Sequence, residues 1–79
     1  MKHYTPPSHL SPEIERELTP RERDICRLMI NRLTSREIAA ALSLSVSTVR
    51  THRKNIYQKL SVNGLAGLVA KVLKGKQES

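Results

Sequence analysis

Arg50, Thr51 and Lys54 stand at spacings that bring them to one side of a helix, and Ser47 and Gln58 extend that side by a turn each way. Arginine presents a planar fork of donors suited to paired acceptors, and lysine presents a mobile ammonium. Serine, threonine and glutamine add neutral hydrogen-bonding groups. No acid interrupts the set. A face of this kind suits a partner that is anionic and rich in acceptors. An ordinary amphipathic helix with a solvated charged face would look similar, so the surroundings of the stretch matter.

The element that would hold these residues runs from Ser45 to Leu60. Ser45 is a good N-cap, because its hydroxyl can accept a free amide of the first turn. Val49, Ile56 and Leu60 form an apolar stripe opposite the polar set. Just upstream, Thr34-Ser35-Arg36-Glu37 carries a capping-box pattern that starts a short helix through Leu42. Ala39, Ala40 and Ala41 let that helix approach its successor closely, and Leu42 and Leu44 can plug the corner. A short helix, a tight turn and a longer polar-faced helix have the spacing of a helix-turn-helix.

Two further helices are expected to support this pair. Thr19-Pro20-Arg21-Glu22 combines a cap, a proline at the first helical position and a returning glutamate, and Ile25, Leu28 and Met29 follow as an apolar face. The last helix starts near Asn63-Gly64; Leu65, Leu68, Val69, Val72 and Leu73 recur at helical spacing, and Lys71, Lys74 and Gly75 close it. The four helices are expected at residues 20–31, 35–42, 46–60 and 64–74. Residues 1–17, broken by Pro6, Pro7 and Pro12, read as a flexible tail or linker, although Ser11-Pro12 can start a helical turn. Residues 76–79 read as a frayed end.

Bulk properties narrow the partner. The chain has 79 residues, room for one small domain, and a formal net charge of +7. Acids occur at Glu13, Glu15, Glu17, Glu22, Asp24, Glu37 and Glu78, with none from Ile38 to Gln77. That acid-free segment carries Arg50, Arg53, Lys54, Lys59, Lys71, Lys74 and Lys76, so the positive field belongs to the second half. A polyanion is implied: nucleic acid first, an anionic membrane surface second. The absence of Trp and Phe argues against single-strand binding on aromatic platforms. The one cysteine, Cys26, excludes an internal disulfide, fits a reducing cytoplasm and reads as a small core residue. His52 flanks the buried stripe and reads as a packed histidine; with only His3 and His9 elsewhere, no metal site is expected. No apolar run is long enough to span a bilayer. No glycine-rich phosphate loop, paired carboxylates or activated nucleophile is present, so no enzyme, cofactor or small-molecule site is expected.

The segments Leu18-Thr-Pro-Arg-Glu-Arg-Asp24, Ser35-Arg-Glu-Ile-Ala-Ala-Ala-Leu-Ser-Leu-Ser45 and Thr48-Val-Arg-Thr-His-Arg-Lys-Asn-Ile-Tyr-Gln-Lys-Leu60 come in an order and at separations that resemble the LuxR-type (NarL/FixJ) DNA-binding domain. The resemblance runs from Leu18 to about Leu73. It implies an all-α, four-helix bundle with a central helix-turn-helix, in a domain of residues 18–75. It implies a sequence-specific transcription regulator on double-stranded DNA, in the cytoplasm at the bacterial nucleoid. The helix at 46–60 would enter the major groove. By position, Arg50, Thr51 and Lys54 would meet base edges; arginine suits the acceptors of guanine and the threonine methyl suits thymine. Ser35, Arg36, Ser47, Arg53, Tyr57 and Lys59 would contact phosphates, which position without reading sequence. The last helix often mediates dimerisation in the family, here through Leu65, Leu68, Val69 and Val72, although the same stripe can instead cap the core.

The chain also departs from the family pattern. Where glycine usually follows the first and third helices of the family fold, Arg32 and Ser61 stand here. Each would cost about 1 kcal/mol if the left-handed backbone is kept. The family's arginine and acid at the start of the last helix are replaced by Leu65 and Gly67, so that phosphate contact is missing and the dimer geometry does not carry over. An alternative function is a protein-interaction module, or a sigma-factor-like helix-turn-helix, that contacts RNA polymerase or another part of the transcription machinery.

Overall fold

A computed structural model describes residues 10–77, with side chains through residue 73. Among these residues the chain is all-α, with five helices: α1 (Pro12–Glu17), α2 (Pro20–Ile30), α3 (Ser35–Leu42), α4 (Val46–Lys59) and α5 (Leu65–Gln77). The last four correspond to the expected helices, with ends shifted by a residue or two except at the C-terminus of α5. That helix continues past Gly75, where a stop was expected, through Gln77.

Start signals read from sequence operate as local chemistry dictates. Thr19 and Thr34 each accept the amide three residues on, at 3.1 Å from Glu22 and Glu37, and each glutamate carboxylate returns to the cap amide at 2.9 and 2.7 Å. Ser45 Oγ accepts the Thr48 amide at 3.1 Å and opens α4.

The helix ends share one device. The amides of Leu33, Leu44 and Val62 donate to the carbonyls of Leu28, Ala39 and Tyr57, five residues back, at 3.1, 2.9 and 3.0 Å. The residue before each donor is left-handed: Arg32 at φ 71°, Ser43 at φ 57° and Ser61 at φ 57°. This closure normally favours glycine, so the left-handed backbone is kept at Arg32 and Ser61 without it. Ser43 makes the corner of the helix-turn-helix in the same way. The apolar residue that follows each turn, Leu33, Leu44 or Val62, packs onto the core and holds it closed.

Ile25, Cys26 and Met29 of α2, Ile38 of α3, Val49 and Ile56 of α4, and Leu68 of α5 are fully buried and form the centre. α4 lies across both α2 and α3, and α5 packs on α2. The thiol of Cys26 is pushed up to about 11 by burial, against a small opposing effect of Arg27, as befits a packed core residue.

One expectation is corrected here. Residues 10–17 are not tail: Ser11 caps α1 at 3.3 Å, and Leu10, Ile14 and Leu18 are buried in the same core as α2. Three apolar residues at fourfold spacing outweigh the proline signals nearby, and the Arg23 guanidinium donating to the Glu15 carbonyl at 2.9 Å pins the helix. The fold of the described residues therefore has a fifth, short helix beyond the expected four. The expected tail at 1–9 and the residues 78–79 of the frayed end lie outside the described residues. For the α5 stripe the sequence left two roles open, a dimer surface and a cap on the core. Leu68 and Val72 face the core, at 0% and 2% exposure, and Leu65 and Val69 are half-buried against it. The exposed large apolar residue of this helix is Leu73, at 46%.

Candidate nucleic-acid interface

α4 is held to the body along Val49, Ile56 and Leu60, which are buried, so its orientation is set by the core. The opposite side is open. Ser47, Thr48, Arg50, Thr51, Lys54 and Gln58 are all exposed. Among the described residues neither Arg50 nor Lys54 has a hydrogen-bonded or ion-paired partner. Both line an open groove with Arg53, Tyr57 and Gln58 of α4 and Val62 and Asn63 of the following turn. Thr51 donates its hydroxyl proton to the Ser47 carbonyl at 3.1 Å. Its outward groups are therefore a methyl and an acceptor oxygen.

The remaining expected contact residues fall into two sets. Arg36 and Ser47 are exposed, and Ser47 Oγ lies 3.3 Å from Ser45 Oγ at the start of α4. Arg53, Ser35 and Tyr57 are half-buried and bonded to one another: Arg53 Nη1 donates to Ser35 Oγ and Nη2 to the Tyr57 hydroxyl, both at 3.1 Å. Lys59 is engaged on the far side of the helix. Its Nζ donates to Glu22 Oε1 at 2.7 Å, and Glu22 is only 4% exposed. Burial pushes the Glu22 carboxyl up, but the hydrogen bonds from Lys59 and Thr19 and the Lys59 charge outweigh it and hold the group below its ordinary value. Lys59 thus locks the end of α4 to the start of α2.

The charge layout follows from these pairings. The carboxylates of Glu15, Glu22 and Asp24 are matched internally by Arg27, Lys59 and Arg21. The open face of α4 carries positive charge without an acid on its own helix. His52 is half-buried with its Nδ1 lacking a partner, beside the core rather than on the open face. Among the described residues no group of side chains could hold a metal ion, and no helix is long and apolar enough to cross a membrane.

The sequence alone pointed to the open face of α4 but not to the Glu22–Lys59 pair. Its signal, a lysine at the end of one helix and a capping glutamate at the start of another, lies across 37 residues of chain.

Comparison with known proteins agrees with this architecture. The family profile of bacterial regulatory proteins, luxR family, matches residues 16–72. The spore germination protein GerE of Bacillus subtilis is 42% identical over 57 residues, covering 72% of this chain and 77% of its own. The transcriptional regulatory protein MctR of Rhizobium johnstonii is 46% identical over 52 residues, covering 66% of this chain but 24% of its own. The tetrathionate response regulatory protein TtrR of Salmonella typhimurium is 38% identical over 53 residues, 67% of this chain and 26% of its own. The chain thus spans about a quarter of the length of MctR and of TtrR. No solved structure matches the chain. With a matched profile over most of its length and a helix-turn-helix at its centre, the chain belongs to the luxR family of bacterial regulatory proteins, DNA-binding regulators of transcription.

Proposed function

We propose that this chain is a sequence-specific, double-stranded DNA-binding domain that places α4 in the major groove. The observation that carries this reading is the open face of α4, where Arg50 and Lys54 project without internal partners and Thr51 turns its methyl outward, while the buried Glu22 is paired with Lys59. Arg50 and Lys54 meet base acceptors, and the Thr51 methyl meets an apolar base edge. Ser35 and Arg36 meet phosphates at the start of α3, Ser47 at the start of α4 and Tyr57 in its last turn. Arg53 and Lys59 sit in internal bonds and are the weakest members of the expected phosphate set.

The domain works in the cytoplasm, as a homodimer on two half-sites. With Leu68 and Val72 committed to the core, the dimer surface on α5 is reduced to Leu65, Val69 and Leu73. Contact with RNA polymerase, as in a protein-interaction module, would use that same outer side of α5.

The test is selection from a random duplex pool, run beside a salt series. The expected result is an enriched motif and an affinity that falls steeply with salt. Arg50→Ala relaxes the motif at one position and costs about 1–3 kcal/mol of discrimination there. Binding with a salt slope but no motif would remove the base-reading roles of Arg50, Thr51 and Lys54. No binding at low salt would favour the protein-interaction reading.

A further inference from the structure

The groove that holds Arg50 and Lys54 also holds Arg53 and Tyr57, which are bonded to each other, and Arg53 is bonded to α3 as well. A guanidinium can only donate. Because Arg53 donates to Ser35 Oγ and to the Tyr57 hydroxyl, both oxygens act as acceptors toward it, and each O–H hydrogen is turned away. Among the described residues neither hydroxyl donates to an acceptor elsewhere in the chain. Ser35 is the first residue of α3 and Tyr57 lies in the last turn of α4. One side chain thus ties the first turn of one helix to the last turn of the next and leaves an unused donor on each. A donor whose own oxygen accepts from a cation is polarised and binds an anionic oxygen more strongly.

We propose that Arg53 is a positioning residue for DNA binding: it orients the hydroxyls of Ser35 and Tyr57 as a pair of donors to phosphate oxygens, and does not itself neutralise a phosphate. This rests on the DNA-binding reading above and deepens it. Its charge stands behind the two hydroxyls rather than in front of them, whereas the exposed cations Arg50 and Lys54 reach the duplex directly.

The test uses the whole 79-residue chain and a mixed-sequence DNA duplex, with affinity measured across a salt series. Tyr57→Phe and Ser35→Ala remove one hydroxyl each and keep the packing. Each is expected to weaken binding by about threefold to tenfold at fixed salt, with the salt slope unchanged, because a neutral donor releases no counterion. Arg53→Ala weakens binding by at least as much, again without change of slope, whereas Arg36→Ala, which removes an exposed cation assigned to a phosphate, lowers the slope by about 0.9.

The decisive readout is coupling. In the Arg53→Ala background, Tyr57→Phe costs almost nothing further, since the hydroxyl is no longer aimed. A residue that merely braced the helices would lower the melting temperature and leave the Tyr57→Phe penalty intact, which overturns the proposal. So does a slope that falls by about 0.9 in Arg53→Ala, which marks a direct phosphate contact. If Arg53→Ala does not fold, Arg53→Gln takes its place in the cycle, and absence of any penalty in both Tyr57→Phe and Ser35→Ala overturns the proposal. Failure of the DNA-binding reading itself is distinct: the unaltered chain would then show no salt-dependent binding.

Discussion

Three left-handed residues without glycine stand at the ends of α2, α3 and α4: Arg32, Ser43 and Ser61. Each turns the chain so that the next residue's amide closes the helix on a carbonyl five residues behind it, and each carries a Cβ that this backbone disfavours. Arg32→Gly and Ser61→Gly are therefore expected to stabilise the fold by about 0.5–1 kcal/mol each, the relief of strain exceeding the entropy gained by the unfolded chain. Urea denaturation of each variant measures this, and a loss of stability would contradict it. Arg32 and Ser61 were visible in the sequence as departures from the family's glycines. Ser43 was not, because the turn between α3 and α4 was read from its length and its capping serine alone. Gly67 in α5 has a different use: a Cβ there would lie 3.3 Å from the Val62 Cβ, so the missing side chain lets α5 sit against the preceding turn.

At the scale of elements, α2 and α4 are joined by the Glu22–Lys59 pair, in which Glu22 also completes the α2 capping box. A carboxyl held below its ordinary value of 4.5 adds stability that is present above that pH and is lost as pH falls through the lower folded value. Melting temperature is therefore expected to drop on acidification below about pH 4.5, the ordinary value of the Glu22 carboxyl, and less steeply in Glu22→Gln. At neutral pH Glu22→Gln costs about 1 kcal/mol, a modest sum because Lys59 remains 39% exposed and part of its attraction is screened. An unchanged acid profile in the variant would show that the pair is not what responds to pH. The capping boxes of α2 and α3 were legible because their partners lie three residues apart. The lysine that completes the Glu22 site comes from another helix, and no local pattern announces it. The same reason hid the Arg53–Ser35 bond across 18 residues.

For the whole molecule, α1 is part of the folded domain. Leu10 and Ile14 are buried at 5% and 3% exposure, so this helix closes one side of the core rather than trailing from it. Ile14→Ala is expected to cost about 2–4 kcal/mol, a large share of the stability of so small a domain. Thermal unfolding of the variant would measure the loss, and a change within about 0.5 kcal/mol would mean that α1 is dispensable. The prolines at 6, 7 and 12 made this region look irregular, although Pro12 is a helix starter behind the Ser11 cap. Leu68→Ala is likewise expected to cost about 2–5 kcal/mol through the core, in contrast to Leu73→Ser on the surface. That contrast separates the core role of the α5 stripe from a dimer role: equilibrium sedimentation of Leu73→Ser reads association without unfolding the protomer.

DNA binding by this domain rests on the open face of α4. Amide chemical-shift mapping during titration with duplex DNA tests it most directly. Shifts are expected to concentrate on Ser47, Arg50, Thr51, Lys54 and Gln58, with a second group at Ser35 and Arg36 where α3 begins. Shifts confined to the outer side of α5, with α4 unmoved, would contradict it.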